Sequence, residues 1–171
     1  MAKVAFVLDD DFEDSEFKVP YDRIREAGHQ ITVIGDEAGK EVTGKQGQET
    51  FTIEAAPDSV SAADFDALVI PGGYSPDKLR MEAGLVKFVE GILGENKPVA
   101  AICHAGSLLV EANAVQGRTV TSWPSVKTDL INAGASWVDE EVVVDGNLIT
   151  SRNPDDLDAF SSAILEALDG K

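Results

Sequence analysis

The chain has 171 residues, of which 43% are apolar and only 6% aromatic, enough for one core of ordinary size built mainly from Ala, Val, Leu and Ile. Its 31 acidic residues against 14 basic ones give a formal charge of −17, which repels phosphate backbones and anionic bilayers and so excludes nucleic acid and membrane surfaces as expected partners. No apolar run approaches the ~20 residues of a bilayer-spanning helix, and one cysteine excludes an intramolecular disulfide.

Met1-Ala2-Lys3-Val4 runs straight into strand-like sequence without signal-peptide architecture, so a reducing cytoplasm is the predicted setting. The acid excess reads as a solvated surface, in its sharper form one suited to a salty cytoplasm.

Residues 3–8 predict a buried strand ended by Asp9-Asp10-Asp11. Helical spacing runs over 17–27, with Gly28 as its stop, and residues 30–34 predict a second strand. Gly44, Gly47 and alternating Thr and Phe across 40–54 predict short strands or a hairpin. Residues 66–70 form a continuous apolar run halted by Pro71-Gly72-Gly73. One helix is predicted across 78–93, with Leu79, Val86, Val89 and Leu93 on its apolar side. Residues 98–102 are the next buried strand, and helical spacing resumes after Cys103-His104. A helix near 126–133, a hairpin over 142–150 turning on Asp145-Gly146-Asn147, and a helix over 154–168 complete the chain.

Wholly apolar strands separated by helices predict a mostly parallel sheet covered on both faces, in one domain spanning 1–171. Ligands bind such sheets beyond the carboxyl ends of the strands, which directs attention to the loops after Leu8, Ile70 and Ile102.

Ala101-Ile102-Cys103-His104-Ala105-Gly106 has the form of a nucleophile elbow. A strand runs directly into a helix, and small residues flank the cysteine so that a strained turn can pack. A thiol at a helix N-terminus meets the positive end of the dipole, which favours thiolate, and the His104 N–H faces any developing oxyanion. Of the two histidines, His29 reads as a solvated loop residue at the far end of the sheet. His104 can orient a substrate or move protons. One cysteine and two separated histidines do not make a zinc site.

Asp9, Asp10, Asp11, Glu13, Asp14 and Glu16 crowd the first loop, most of them reading as exposed charges. A carboxylate placed near the sulfur would be held protonated by burial and like charge, and spacing alone leaves Glu13 and Glu16 equally eligible. An N–H of Gly72 or Gly73 can complete an oxyanion hole, or the motif is a plain tight turn.

Taken in order, several segments resemble the PfpI branch of the ThiJ/PfpI superfamily. They are Phe12-Glu13-Asp14-x-Glu16 with Pro20-Tyr21, Glu26-x-Gly28-His29, Gly44-Lys45-x-Gly47, residues 65–73, Lys97 through His104, Thr121-Ser122-Trp123-Pro124, residues 129–139, and Val142 through Asn147 with Ser151-Arg152. The resemblance implies a flavodoxin-like three-layer α/β sandwich of the class I glutamine amidotransferase-like group, without cofactor or metal. It implies Cys103 as the reactive cysteine, His104 as its adjacent histidine, Glu16 as the protonated partner of the sulfur, and Gly73 as an oxyanion donor. Asp77 falls where relatives usually carry a glutamate that reaches a neighbouring subunit's active site, which implies a homodimer or higher oligomer. Ala105-Gly106 departs from the usual Gly-Pro.

The activities so implied are a glyoxalase or deglycase acting on small reactive carbonyls or the adducts they make on proteins, an intracellular cysteine peptidase, and a redox sensor or chaperone working through oxidation of Cys103. Elementary chemistry favours the first, because a thiolate adds readily to an aldehyde and a nearby acid or base can then move the proton.

Overall fold

The computed structural model describes residues 1–170. Its main sheet has six strands: β1 (Lys3–Val7), β2 (Gln30–Ile34), β5 (Ala67–Ile70), β6 (Val99–Ile102), β9 (Val142–Asp145) and β10 (Leu148–Ser151), in the order β2-β1-β5-β6-β10-β9. All neighbours run parallel except β9, which pairs antiparallel with β10 at the edge. The hairpin joining these two turns at Gly146 (φ 58°), as the sequence predicts.

Successive residues of a strand face opposite ways, and here both faces are covered. Leu68 and Ile70 of β5 pack into one core, on the side of α2 (Ser75–Leu79), α3 (Ala83–Gly94), α4 (Gly106–Glu111) and α5 (Lys127–Asn132). Ala67 and Val69 pack into the other, on the side of α1 (Asp14–Glu26) and α6 (Leu157–Asp169). The result is the three-layer α/β sandwich. Two small sheets decorate it: β3 (Glu41–Thr43) pairs antiparallel with β4 (Thr50–Thr52), and β7 (Thr119–Val120) pairs parallel with β8 (Ser136–Trp137).

Several element boundaries differ from the apolar spacing. Helix α1 begins at Asp14 rather than near Phe17, because its first turn buries two acids, Asp14 and Glu16, that an apolar pattern does not register. The single helix expected over 78–93 is two. Leu79 is buried at the end of α2, and α3 then buries Leu85, Phe88, Val89 and Ile92. That stripe is out of register with Leu79, so Val86 and Leu93 are only half-buried. The closing helix starts at Leu157, after a 3₁₀ turn over Pro154–Asp156.

A ring of edge-on aromatic contacts seats the β3–β4 hairpin on α1. Phe51 lies 5.3 Å from Phe17 and 5.5 Å from Tyr21 between ring centroids, and Phe17 continues the contact to Phe6 and Phe12. The hairpin therefore reaches over the carboxyl end of β1, beside the turn that carries Cys103. Among the described residues, no helix is long and apolar enough to cross a membrane.

Candidate active site

Strand β6 is buried throughout and ends at Ile102; Cys103 follows with φ 63°, a left-handed conformation that a non-glycine residue adopts only under constraint. A 3₁₀ turn over Cys103–Ala105 then leads into α4. Space around this turn is tight: a Cβ at Gly106 would stand 3.2 Å from the Leu130 side chain. The elbow read from the sequence is present, with Cys103 7% exposed at the floor of a cavity of about 270 Å³. Glu13, Glu16, Lys45, His104 and Trp123 line its walls.

The Pro71-Gly72-Gly73 loop packs against both Cys103 and Glu16. A side chain at Gly72 would collide with the Glu16 carboxyl and stand 2.8 Å from the Cys103 Cβ, so only glycine fits. Gly73 (φ 78°) is stitched to the first loop, with the Glu13 N–H donating to Gly72 O and the Tyr74 N–H to Asp11 O. The Gly72 N–H is engaged by Glu16 Oε1 at 2.9 Å, whereas the N–H groups of Gly73 and His104 face the sulfur. Of the two glycines that spacing left open, Gly73 is the one whose N–H faces the sulfur.

Glu16 is fully buried, and Glu13 lies at the wall, paired with the Lys45 ammonium at 3.1 Å. Burial first, and the charge of Glu13 second, push the Glu16 carboxyl up to about 8, so it is mostly protonated at neutral pH. Its Oε2 is left without a hydrogen bond of good geometry, in weak contact with the thiol. The first loop is thus less exposed than its composition suggests: Asp9, Asp14 and Glu16 are all buried.

Burial, and then the Glu16 charge, also push the Cys103 thiol up to about 12. This reverses the expectation of a ready thiolate. The two facing N–H groups and Lys45 do favour the anion, but desolvation outweighs them. The thiol needs a base. His104 Nδ1 lies 3.2 Å from the sulfur, and its Nε2 lies 3.3 Å from Ser125 Oγ. Burial, helped by Lys45, lowers the imidazole from its usual value and keeps it neutral. With the Nε2 proton given to Ser125, Nδ1 is free to accept the thiol proton.

Asp77 is exposed on α2 and does not line the cavity of its own chain. His29 lies at the opposite end of the sheet as expected, but is half-buried rather than solvated, its Nδ1 accepting the Ala2 N–H at 2.9 Å. Ser125 and Lys45 escaped the sequence reading as site residues. Ser125 follows directly on the Thr121–Pro124 motif, and a lysine between glycines at a hairpin tip was a signal in a chain with 14 cations.

The model of the DJ-1/PfpI family matches residues 2–167. The chain belongs to that family. It is 49% identical to general stress protein 18 of Bacillus subtilis over 98% of both chains, and 47% identical to protein/nucleic acid deglycase 2 of Escherichia coli over 97% of both. It is 46% identical to the putative cysteine protease YraA of B. subtilis, over 97% of this chain and 98% of that one. Among solved structures, a two-domain Anabaena variabilis protein with DJ-1/ThiJ/PfpI-like and ferritin-like domains superposes with a TM-score of 0.97 at 39% identity; the match covers 98% of this chain and 48% of that one. Drosophila melanogaster DJ-1beta gives 0.90 at 32% identity, over 99% and 91% respectively. The flavodoxin-like sandwich implied by the sequence motifs is the fold of the chain.

Proposed function

We propose that the chain is a cofactor-free, cysteine-dependent stress enzyme that acts on small reactive dicarbonyls or on the adducts they form with proteins. The observation carrying this reading is a cavity of only about 270 Å³ whose floor is Cys103, with a neutral imidazole 3.2 Å from its sulfur. In this reading His104 Nδ1 takes the thiol proton as sulfur attacks the aldehyde carbon. The C–S bond forms, the carbonyl π pair moves onto oxygen, and the Gly73 and His104 N–H groups receive the resulting oxyanion. The proton returns to that oxygen, giving a hemithioacetal. Neutral His104 is then placed to take the carbon-bound proton while protonated Glu16 donates to the neighbouring carbonyl oxygen, giving an enediol. Return of the proton to the adjacent carbon leaves a thioester, and water cleaves its C–S bond to release the hydroxy acid and the Cys103 thiol.

The relatives named as a stress protein and a deglycase support this reading. The E. coli relative's name also covers nucleic acid; the −17 charge argues against gripping a phosphate backbone but not against removing an adduct from a base. The relative named as a putative cysteine protease supports a second reading, in which a neighbouring subunit completes a longer cleft and contributes Asp77 to the histidine. A cytoplasmic homo-oligomer fits both readings. Lactate release from methylglyoxal by wild type and not by Cys103→Ala is the expected result. Activity that survives in the alanine variant refutes the mechanism, and casein hydrolysis without lactate supports the peptidase.

A further inference from the structure

The buried carboxylate of Asp14 is absent from the chemistry above, yet it is the most heavily bonded acid near the site. It is 3% exposed and sits two residues before Glu16 in the first turn of α1. Its Oδ1 accepts the backbone N–H of Gln46 at 2.8 Å, and its Oδ2 accepts those of Gln48 and Glu49, each at 2.9 Å. These three donors belong to the tip of the β3–β4 hairpin, the segment that carries Lys45 into the Cys103 cavity. Gly44 completes the fit, since any Cβ there would overlap the Asp14 carboxylate. Phe12 O takes the Lys45 N–H at 2.9 Å, so the base of the tip is held separately from its far side.

We propose that Asp14 is a positioning residue for the Cys103 site, gathering three backbone N–H groups of the hairpin tip so that the Lys45 ammonium is held inside the cavity. The titratable groups lining the cavity around the sulfur are Glu16 from α1, Glu13 from the first loop, His104 from the elbow and Lys45 from the hairpin. Lys45 is the one cation of the set; it pairs with the Glu13 carboxylate and, beside the Gly73 and His104 N–H groups, favours a thiolate at Cys103. Burial opposes ionisation of Asp14, but the three N–H donors outweigh it and hold the group below its ordinary value. The tip therefore rests on a permanent charge at working pH. Asn at this position keeps one acceptor oxygen and presents an NH₂ to the remaining donors, which releases the far side of the tip.

The inference rests on Cys103 as the reacting group and not on its substrate. It is tested by the rate at which the full-length protein forms a mixed disulfide with hydroxyethyl disulfide, followed by intact mass across a pH series. An opposite charge within reach of an ionising group moves its pKa by roughly one unit or more. The weaker nucleophilicity of a less basic thiolate absorbs part of that, leaving about a three- to fourfold change in rate per unit. Lys45→Gln is expected to slow the reaction by at least that factor and move its pH profile upward. Asp14→Asn is expected to do the same although Asp14 does not itself line the cavity, and Asp14→Asn/Lys45→Gln to be no slower than Lys45→Gln alone. Should Asp14→Asn fail to fold, Gly44→Ala presses on the same carboxylate from the loop side and is expected to reproduce the shift. Slowing by Asp14→Asn or Gly44→Ala that persists in the Lys45→Gln background overturns the inference, as does an unshifted profile in a folded variant. A Cys103 that does not react in wild type at any pH overturns both this inference and the reading of Cys103 on which it rests.

Discussion

Glu16→Gln isolates the energetic consequence of burying a carboxyl beside the thiol. In the folded protein Glu16 ionises near 8, whereas in the unfolded chain it does so near 4.5. A raised folded value means that the native state holds a proton the unfolded chain has released. Stability from this source is complete below the unfolded value and is lost as pH rises through the folded one. At about 1.4 kcal/mol per pH unit the full loss is ~5 kcal/mol, of which ~3 kcal/mol is already gone at about pH 7. Cys103, pushed up to about 12, stays a thiol over this range and adds no competing titration. Glutamine keeps an acceptor for the Gly72 N–H but cannot ionise. Urea unfolding of both proteins between about pH 5 and about pH 9 is therefore expected to show the wild-type free energy falling by ~4 kcal/mol relative to the variant. The other 30 acids titrate in both proteins and cancel in the difference. Parallel pH dependences would refute the buried, protonated assignment.

Gly73→Ala forces a side chain onto a φ of 78° and against the Glu13 N at 2.5 Å, so a loss of at least ~1–3 kcal/mol in urea unfolding and a fall in kcat beyond that in substrate affinity are expected. Ser125→Ala removes the partner of His104 Nε2 and is expected to lower kcat by roughly tenfold with little change in KM, since the imidazole loses its preferred tautomer but not its position; unchanged kinetics would remove Ser125 from the site. A charge of −17 repels itself, so the melting temperature is expected to rise in molar KCl, and a flat response would show that the acid excess does not limit stability.

Most of the sheet was legible because its strands are short apolar runs with sharp ends, and Ile102-Cys103 reads as an elbow from the small residues around it. Hairpin β9–β10 was equally plain from Gly146. Helix α1 was shortened, and α2 and α3 were fused, because apolar spacing does not register a buried acid or a change of register between Leu79 and Leu85. Strands β7 and β8, two residues each, are too short to carry a period.

The sequence by itself determined the architecture, the single cysteine and the turn on which it sits, since these follow from local pattern and steric demand along the chain. Spacing alone narrowed the acidic partner to Glu13 or Glu16 and the donor to Gly72 or Gly73, and the family resemblance pointed to Glu16 and Gly73, but a physical choice between near neighbours depends on which way each group faces. Only the tertiary structure decided that Glu16 is buried while Glu13 pairs with Lys45, and that Gly72 is spent on Glu16 while Gly73 faces the sulfur. It also decided that the thiol is not a ready thiolate. That depends on how much water the assembled layers exclude, a property of packing that no linear spacing contains.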